Sequence, residues 1–543
     1  MDIASSLSGQ GEPADLEDPE VGGRPAKRGE PHELVPGGRG ARGDILSQAI
    51  ERDLPESGDG FYFVIYCVGM KTGFLLAIVA YAAVLWAAGL GTKRRAASLE
   101  SFFLSSRRLS PSRVAFSLCA SWIGAASLLV STDQALGDGA SAIWIMGLPA
   151  VGTLLVLTAL VRPVRAVVGL TPSGLMRDRY GKAAGTLTTI LVVWYMTALA
   201  ASQIVAAGPF LGTFLGTGPL FSLVIAAVIV IVYATAGGLQ AVTRTHVLQF
   251  ALLVAGLAAM IASLASRTSW QAVRAAAAGS GKGSYFDVLA GADRNILIAL
   301  SFIMAWTISP IAWQRMQAAR SERAARQGTA GAAVLLGVFY AGIVAVGMLL
   351  LPLFPEAGTG IPLITRFVSR EAGSFLGGLV FVTVLAAIFS TMDAALNAGA
   401  FTLTKDLLGR KTEAGPGGRP LVLARTATVA IALTALLIAA RLGDILKTLG
   451  LASAILAEGL LIPGIAALFL KRRVPLAGLL ALALGGGHAL VSFLAESGVR
   501  ILSVPPWPRS LPLGVALGAT GFLAGLAVER FKARRPRPGI PLA

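Results

Sequence analysis

Long apolar stretches alternate with short polar segments along most of the chain. A helix needs about 20 consecutive apolar residues to cross the hydrocarbon core of a bilayer, where the backbone must satisfy its own hydrogen bonds. Thirteen stretches meet this requirement, which predicts an all-α membrane protein with about 13 transmembrane helices. They lie near residues 66–90, 112–136, 141–161, 184–208, 218–236, 245–265, 295–313, 330–354, 374–403, 421–440, 446–470, 475–495 and 511–529.

Composition favours the same class of protein. Hydrophobic residues make up 55% of the 543 residues, charged residues make up 14%, and the mean hydropathy is +0.71. This composition is too apolar for a protein with one ordinary soluble core. Cys67 and Cys119 both lie in apolar stretches, so neither a disulfide framework nor a cysteine-rich zinc site is predicted. The net charge of +17 comes from basic residues in short loops, where they set membrane topology. The predicted surroundings are therefore a lipid bilayer, and no nucleic-acid partner is expected.

The distribution of these basic residues predicts the orientation of the chain. Leaving aside the amino-terminal tail and Lys71, the loops on one side hold 29 lysines and arginines and those on the other side hold 10. Because cytoplasmic loops carry the excess, we expect a multi-pass cell-membrane protein with an outside amino terminus and a cytoplasmic carboxyl terminus. Residues 1–60 lack a periodic apolar pattern and are predicted to be a disordered tail. Either this tail is dispensable or translation starts at Met70.

A polar cluster interrupts the ninth apolar stretch. Ser390, Thr391 and Asp393 follow Ala387 inside a segment that is otherwise hydrophobic. Polar groups in hydrocarbon are costly, so such a cluster is a functional site by default. Hydroxyls beside helix carbonyls suit a small hard cation, which prefers oxygen ligands. The pattern predicts half of a sodium site.

Two of the predicted helices are interrupted at corresponding positions. The second span loses its regularity through Ser131–Asp133 and 137–139, and the seventh contains Pro310, which removes a helix hydrogen bond. These are the first spans of two five-span sets, 112–265 and 295–470. Paired interrupted spans of this kind indicate the midplane binding site of an inverted-repeat transporter. Residues 61–543 are accordingly predicted to form a transporter domain.

The chain also resembles the sodium:solute symporter family from about residue 65 to about residue 530. The resemblance rests on residues 99–109 (LESFFLSSRRL), 120–127 (ASWIGAAS), 235–242 (TAGGLQAV), 314–321 and 386–407 (AAIFSTMDAALNAGAFTLTKDL). Membership implies a leucine-transporter type of fold, with five-plus-five inverted repeats, one extra amino-terminal helix and two extra carboxyl-terminal helices. It also implies sodium-driven uptake by alternating access.

The resemblance implies a set of sodium ligands. Carried over to this chain, they are the backbone carbonyls of Ala120, Ile123 and Ala387 and the hydroxyls of Ser390 and Thr391. Ala387 and Ser390 are three residues apart, which places them on one helix face. Na⁺ is expected as the coupling ion, and no prosthetic group is expected.

Solute contacts are predicted from aromatic and polar side chains of the same spans. The candidates are Trp122, Ser127, Gln203, Trp306 and Glu458. Glu458 is an acid in hydrocarbon that needs a partner: it either pairs with a cationic part of a substrate, takes up a proton, or bonds neighbouring hydroxyls. Trp122 stands where proline symporters carry an aspartate, and the polar set of sugar symporters is missing. Small amino or carboxylic acids are therefore favoured over sugars.

Two functions fit this pattern. The favoured one is a sodium-coupled symporter of a small organic solute such as an amino acid or carboxylate. The alternative is a transporter-like sensor that reports solute binding to a separate partner. A membrane enzyme is not expected, because we find neither a GxSxG nucleophile elbow nor an HExxH pair. The sequence leaves the solute, the sodium stoichiometry and the oligomeric state open.

Overall fold

A computed structural model describes residues 60–90, 107–167, 171–354, 360–371, 373–408, 419–470, 472–499 and 502–534. The predicted tail lies outside the described residues. Within them the chain is helical and contains no β-strand. The α-helices are α1 (Gly60–Leu90), α2 (Pro111–Trp122), α3 (Ser131–Asp138), α4 (Gly147–Arg165), α5 (Pro172–Leu215), α6 (Pro219–Arg267), α7 (Trp270–Gly279), α8 (Ala292–Thr307), α9 (Pro310–Ala318), α10 (Glu322–Leu349), α11 (Leu363–Arg370), α12 (Phe375–Thr402), α13 (Arg419–Ala439), α14 (Ile445–Ala454), α15 (Leu461–Phe469), α16 (Pro475–Glu496) and α17 (Leu511–Arg534).

Nine helical segments of the described chain are long and apolar enough to cross a membrane, or ten if the bent pair α8 and α9 forms one span. Two shorter apolar stretches, Lys71–Ala87 and Leu220–Val232, lie within α1 and α6. Every one of the thirteen predicted spans overlaps a helix, but the total of thirteen stays a prediction because several of these helices are short or merged.

Both predicted interruptions are present. In the first, α3 ends at Asp138 and Gly139 has a φ of 69°, as predicted for 137–139, but a further break lies earlier than expected. The segment Ser131–Asp133, predicted to be irregular, belongs to the regular helix α3. The chain instead leaves the helix after Trp122, and a π-helical segment, Ala126–Val130, follows the break. The second interruption separates α8 from α9 by a bend of 42°. Pro310 is the first residue of α9, where its missing N–H removes no helix hydrogen bond.

Two other predictions of local structure were wrong. A loop was predicted between spans 218–236 and 245–265, but the residues there have a helical backbone and lie within the range of α6. Arg315 follows the predicted span 295–313 directly and was therefore expected in a loop, but it lies in α9 and is fully buried. Both errors arise because loop residues were inferred from local polarity, which does not show whether a neighbouring helix covers the segment.

Burial places α12 at the centre of the bundle. Nearly all of its residues from Phe381 to Phe401 are buried, because α5, α6 and α2 pack around it. In the most apolar part of α5, 83% of the residues are buried, compared with 33% in α17. The peripheral helices therefore turn an apolar face outward, as a protein surrounded by lipid requires. The central position of α12 brings its polar cluster against the broken helices.

Candidate functional site

The break after α2 exposes backbone groups in the interior of the bundle. Ile123 is the C-cap of α2, and its N–H donates to the carbonyl of Cys119 at 2.9 Å. Ala120 lies in the last turn of this helix, where carbonyls lack partners within the helix. Both Ala120 and Ile123 are fully buried. Their carbonyl oxygens are thus available to groups from other helices.

Residues predicted to bind sodium come together at this point. The hydroxyl of Ser390 donates to the carbonyl oxygen of Ala120 at 2.7 Å and also lies 3.1 Å from the carbonyl oxygen of Ala387. The first contact joins residues 270 positions apart in the chain. The hydroxyl oxygen of Thr391 is buried and has no hydrogen-bond partner among the described residues. The Ser390 hydroxyl, its two carbonyl partners and the hydroxyl of the next residue, Thr391, define an oxygen-rich gap between α2 and α12.

Gln203 of α5 closes this gap from a third side. Its Oε1 accepts a hydrogen bond from the N–H of Ala125 at 2.9 Å, and its Nε2 donates to the hydroxyl of Ser202 at 3.0 Å. A Cβ at Gly124 would lie 2.8 Å from both Gln203 Oε1 and Thr391 Oγ1. Glycine is therefore the residue that permits α5 and α12 to approach the break this closely.

A cavity adjoins this gap and shares Gly124 and Thr391 with it. The cavity has a volume of about 30 Å³. Its walls therefore lie close together in this conformation. The rings of Trp122 and Trp306 lie 5.5 Å apart between centroids and are tilted by 34°. The lining residues are Ser121, Trp122, Gly124, Ala126, Ser127, Met146, Tyr195, Leu199, Gln203, Trp306, Ser309, Ile311, Thr391 and Leu449. Among these lining residues of the described chain, none has an acidic, basic or histidine side chain.

Four of the five predicted solute residues line this cavity, namely Trp122, Ser127, Gln203 and Trp306. The hydroxyl of Ser127 also lies 2.7 Å from the hydroxyl of Tyr340 on α10, so part of its hydrogen-bonding capacity is used within the protein.

Glu458 does not line the cavity. It lies in a π-helical segment, Ile455–Leu460, and its Oε2 is 2.8 Å from Nδ1 of His488 on α16. A predicted contact between this acid and the solute is therefore not supported by its position, because Glu458 faces the carboxyl-terminal helices instead.

Sequence reasoning missed several lining residues, including Met146, Leu199, Ser309, Ile311 and Leu449. Ser309 directly precedes the proline of the second break, and this position was a usable signal. The others are ordinary apolar residues on four different segments. Only the packing of those segments shows that they meet.

A buried polar network lies behind the oxygen-rich gap. His246 of α6 joins Asp393 at 2.8 Å through its Nε2 and joins Ser117 of α2 at 3.0 Å through its Nδ1. The guanidinium of Arg315 donates through Nε to the same Ser117 hydroxyl at 3.3 Å, and through Nη1 to Gln314 at 3.0 Å. This network joins α2, α6, α9 and α12. The partners of His246 lie far away in the chain, so the sequence around it does not indicate this network.

Comparison with known proteins identifies the family. A family model described as the sodium:solute symporter family matches residues 102–485. The chain belongs to this family. The matched range includes both breaks, the oxygen-rich gap and the cavity of this symporter-family protein.

Similar individual proteins agree with this assignment. The sodium/glucose cotransporter of Vibrio parahaemolyticus is 26% identical over 443 residues, which are 73% of this chain and 79% of that protein. The sodium/proline symporter of Staphylococcus aureus (strain bovine RF122 / ET3-1) is 26% identical over 352 residues, which are 58% of this chain and 64% of that protein.

The fold matches that of a solved symporter. The structure of a Na⁺-coupled sialic acid symporter, in a substrate-bound outward-open state, gives a TM-score of 0.67 at 15% identity. The match covers 84% of this chain and 98% of that one. The predicted fold class, an all-helical membrane protein of the leucine-transporter type, is thereby confirmed. This family member is a multi-pass membrane protein.

Proposed function

We propose that this protein uses a sodium gradient to take up a small organic solute, such as an amino acid or carboxylate, by alternating access. The observation that supports this most directly is the contact of Ser390 with the carbonyls of Ala120 and Ala387, beside the unpartnered hydroxyl of Thr391. Sodium would be held there by these oxygens together with the carbonyl of Ile123. The proposed orientation places the carboxyl terminus in the cytoplasm.

The proposed ion site and the solute cavity share residues, and this supports coupling between sodium binding and solute binding. Thr391 and Gly124 border both the oxygen-rich gap and the cavity, so occupation of one changes the field and shape of the other. A bound sodium ion would bridge α2 and α12, which lie in different predicted repeats. An ion drives a conformational change only through its different affinities for the two states, and a bridging site has this property.

The cavity favours a solute without net positive charge. The walls described by the structure offer no acidic side chain to neutralise a cation, whereas a carboxylate would gain the neighbouring sodium ion as its counter-charge. The faces of Trp122 and Trp306 can cover an apolar side chain or an ammonium group. A neutral amino acid or a monocarboxylate meets both conditions. The solute enters after the two indole rings move apart, because the present space is too small for it.

Uptake by reconstituted protein tests the proposal. Proteoliposomes with an inward sodium gradient should accumulate at least one neutral amino acid or monocarboxylate, and replacement of sodium by potassium should remove this uptake. Sugars serve as the comparison class and should not accumulate. Sodium-independent binding of a solute without any accumulation would contradict symport and favour the sensor alternative.

A substitution at Gly124 should weaken sodium binding specifically. In Gly124→Ala the new methyl group would displace Gln203 Oε1 or Thr391 Oγ1, and overpacking of this kind costs about 1–3 kcal/mol. We expect the apparent sodium affinity, measured from the sodium dependence of thermal stability, to fall by roughly 5-fold to 150-fold. Gly137→Ala is the matched control, since a Cβ there meets nothing within 4 Å. Equal sodium affinities in the two variants would contradict the proposed role of the break.

A further inference from the structure

A second buried polar site lies between the carboxyl-terminal helices and the π-helical segment Ile455–Leu460. Glu458 Oε2 and His488 Nδ1 are 2.8 Å apart, and the two side chains are 0% and 8% exposed. Glu458 Oε1 and His488 Nε2 have no hydrogen-bond partner within the described part of the chain. Two titratable groups are thus enclosed together, each with one polar atom unused.

The neighbouring helices are shaped around this acid. A Cβ at Gly514 would collide with the carboxylate of Glu458, and one at Gly485 or Gly518 would press on its backbone carbonyl. Glycines on α16 and α17 therefore leave the space that the side chain fills. Single π-helical turns inside α-helices also occur frequently at functional sites. The acid occupies a built site rather than a gap in ordinary packing.

Charge determines what this site can bind. The pair is neutral overall when it holds one exchangeable proton, either as an imidazolium beside a carboxylate or as a neutral imidazole beside a carboxylic acid. Removal of that proton leaves one uncompensated negative charge in an apolar interior, which is costly. We propose that Glu458 and His488 form a proton-binding site on helices other than those of the sodium site. This inference goes beyond the proposed symport and does not depend on it.

Three polar residues line one face of α16 at the site and beyond it. His488, Ser492 and Glu496 follow each other at intervals of four residues, so they lie on one face of α16. The hydroxyl of Ser492 is buried and has no partner in the part of the chain described by the structure. Glu496 accepts a hydrogen bond from the N–H of Trp507 at 2.8 Å and pairs with Lys447. These residues lead from the site to the end of α16 that is predicted to face outside.

The helices α5, α8, α14, α15, α16 and α17 pack against the π-helical segment. Besides His488, α16 carries Glu496 at its end, and α15 carries no charged or titratable residue. The charged residues of the other four lie towards helix ends, and two tyrosines lie on α5. These residues are Arg177, Asp178, Arg179, Tyr180, Lys182 and Tyr195 on α5, Asp293 and Arg294 on α8, Lys447 on α14, and Glu529, Arg530, Lys532 and Arg534 on α17. His488 is therefore the only charged or titratable side chain with a hydrogen bond to Glu458 in the described chain.

Nuclear magnetic resonance of the imidazole nitrogens tests the proton site directly. The chain has only three histidines, so full-length protein with ¹⁵N-labelled histidine in lipid nanodiscs gives few signals, and His488→Gln assigns those of His488. In the wild type, the His488 nitrogen signals should change with pH as the pair takes up and releases its proton. In Glu458→Gln, the midpoint of this change should move by about one pH unit or more, because a charged neighbour is lost.

Glu529→Gln is the matched control. Glu529 is another carboxylate of the carboxyl-terminal helices, and it accepts a hydrogen bond from the N–H of Leu476 rather than from a histidine. Its substitution should leave the His488 midpoint unchanged, and unaltered His246 signals in each variant show that the fold is intact. Signals of His488 that do not change with pH in the wild type would overturn the proposal even if Glu458→Gln fails to fold. An unchanged midpoint in a folded Glu458→Gln variant would also overturn it.

Discussion

Sodium should no longer stabilise the protein after Ser390 and Thr391 are both replaced by alanine. The double substitution removes two hydroxyl oxygens from the proposed ion site and leaves only backbone carbonyls facing the gap. A ligand present at 100 times its dissociation constant stabilises the folded state by about 2.7 kcal/mol, so the wild type should show a clear sodium-dependent rise in its unfolding temperature. The measurement is thermal unfolding of the purified protein in sodium chloride and in potassium chloride of equal ionic strength.

Thr402→Ala provides the matched control for this result. Thr402 is a fully buried hydroxyl residue on the same helix, but among the described residues it donates only to the carbonyl of Ala398 one turn earlier. We expect this variant to keep the full stabilisation by sodium. If the double variant also kept it, the sodium ligands proposed here would be wrong even though the family assignment would stand.

Arg315→Gln should lower the free energy of unfolding by about 3–5 kcal/mol, the usual cost of removing one member of a buried charged network. The guanidinium is fully buried and reaches Asp393 through Ser117 and His246. Without the guanidinium, the network of Asp393 has lost the positive charge of Arg315. The carboxylate of Asp393 then lies in an apolar interior without this compensating charge. Unfolding by sodium dodecyl sulfate in mixed micelles provides the measurement.

A second substitution separates charge loss from packing loss. Adding Asp393→Asn to Arg315→Gln removes the uncompensated charge, so the double variant should be more stable than the sum of the two single effects predicts, by about 1 kcal/mol or more. Arg326→Gln serves as the control, because its pairing with Glu322 at 3.6 Å is exposed and worth roughly 0.2–0.5 kcal/mol. Strict additivity of the two buried substitutions would show that Arg315 and Asp393 do not interact.

The fold was predictable because a membrane restricts the choice of secondary structure. Apolar length alone located helices such as α10 and α12, since no other backbone form satisfies its hydrogen bonds in lipid. Pro310 located the second break for an equally local reason. Position 124 shows the limit of prediction from local sequence, because the first break lies there and not in the polar segment Ser131–Asp133. Local polarity does not show at which residue contacts with neighbouring helices will interrupt a helix.

The candidate site was predictable in part. Ser390 and Thr391 were conspicuous as hydroxyls in an apolar segment, and the family resemblance added Ala120, Ile123 and Ala387. The role of Gly124 was not foreseen, since it depends on the approach of Gln203 from another helix. Glu458 was equally conspicuous, yet its partner is His488 and not the solute cavity.

The sequence by itself determined that this chain is a bundle of membrane helices with two interrupted spans and a hydroxyl pair in one of them. Those properties follow from residue type and spacing, which act over one or two helical turns. Only the tertiary structure decided which oxygens meet across 270 residues, that Arg315 and His246 share a buried network, and that Glu458 lies with the carboxyl-terminal helices. The reason is physical, because distances between side chains of different helices depend on how whole helices pack against one another.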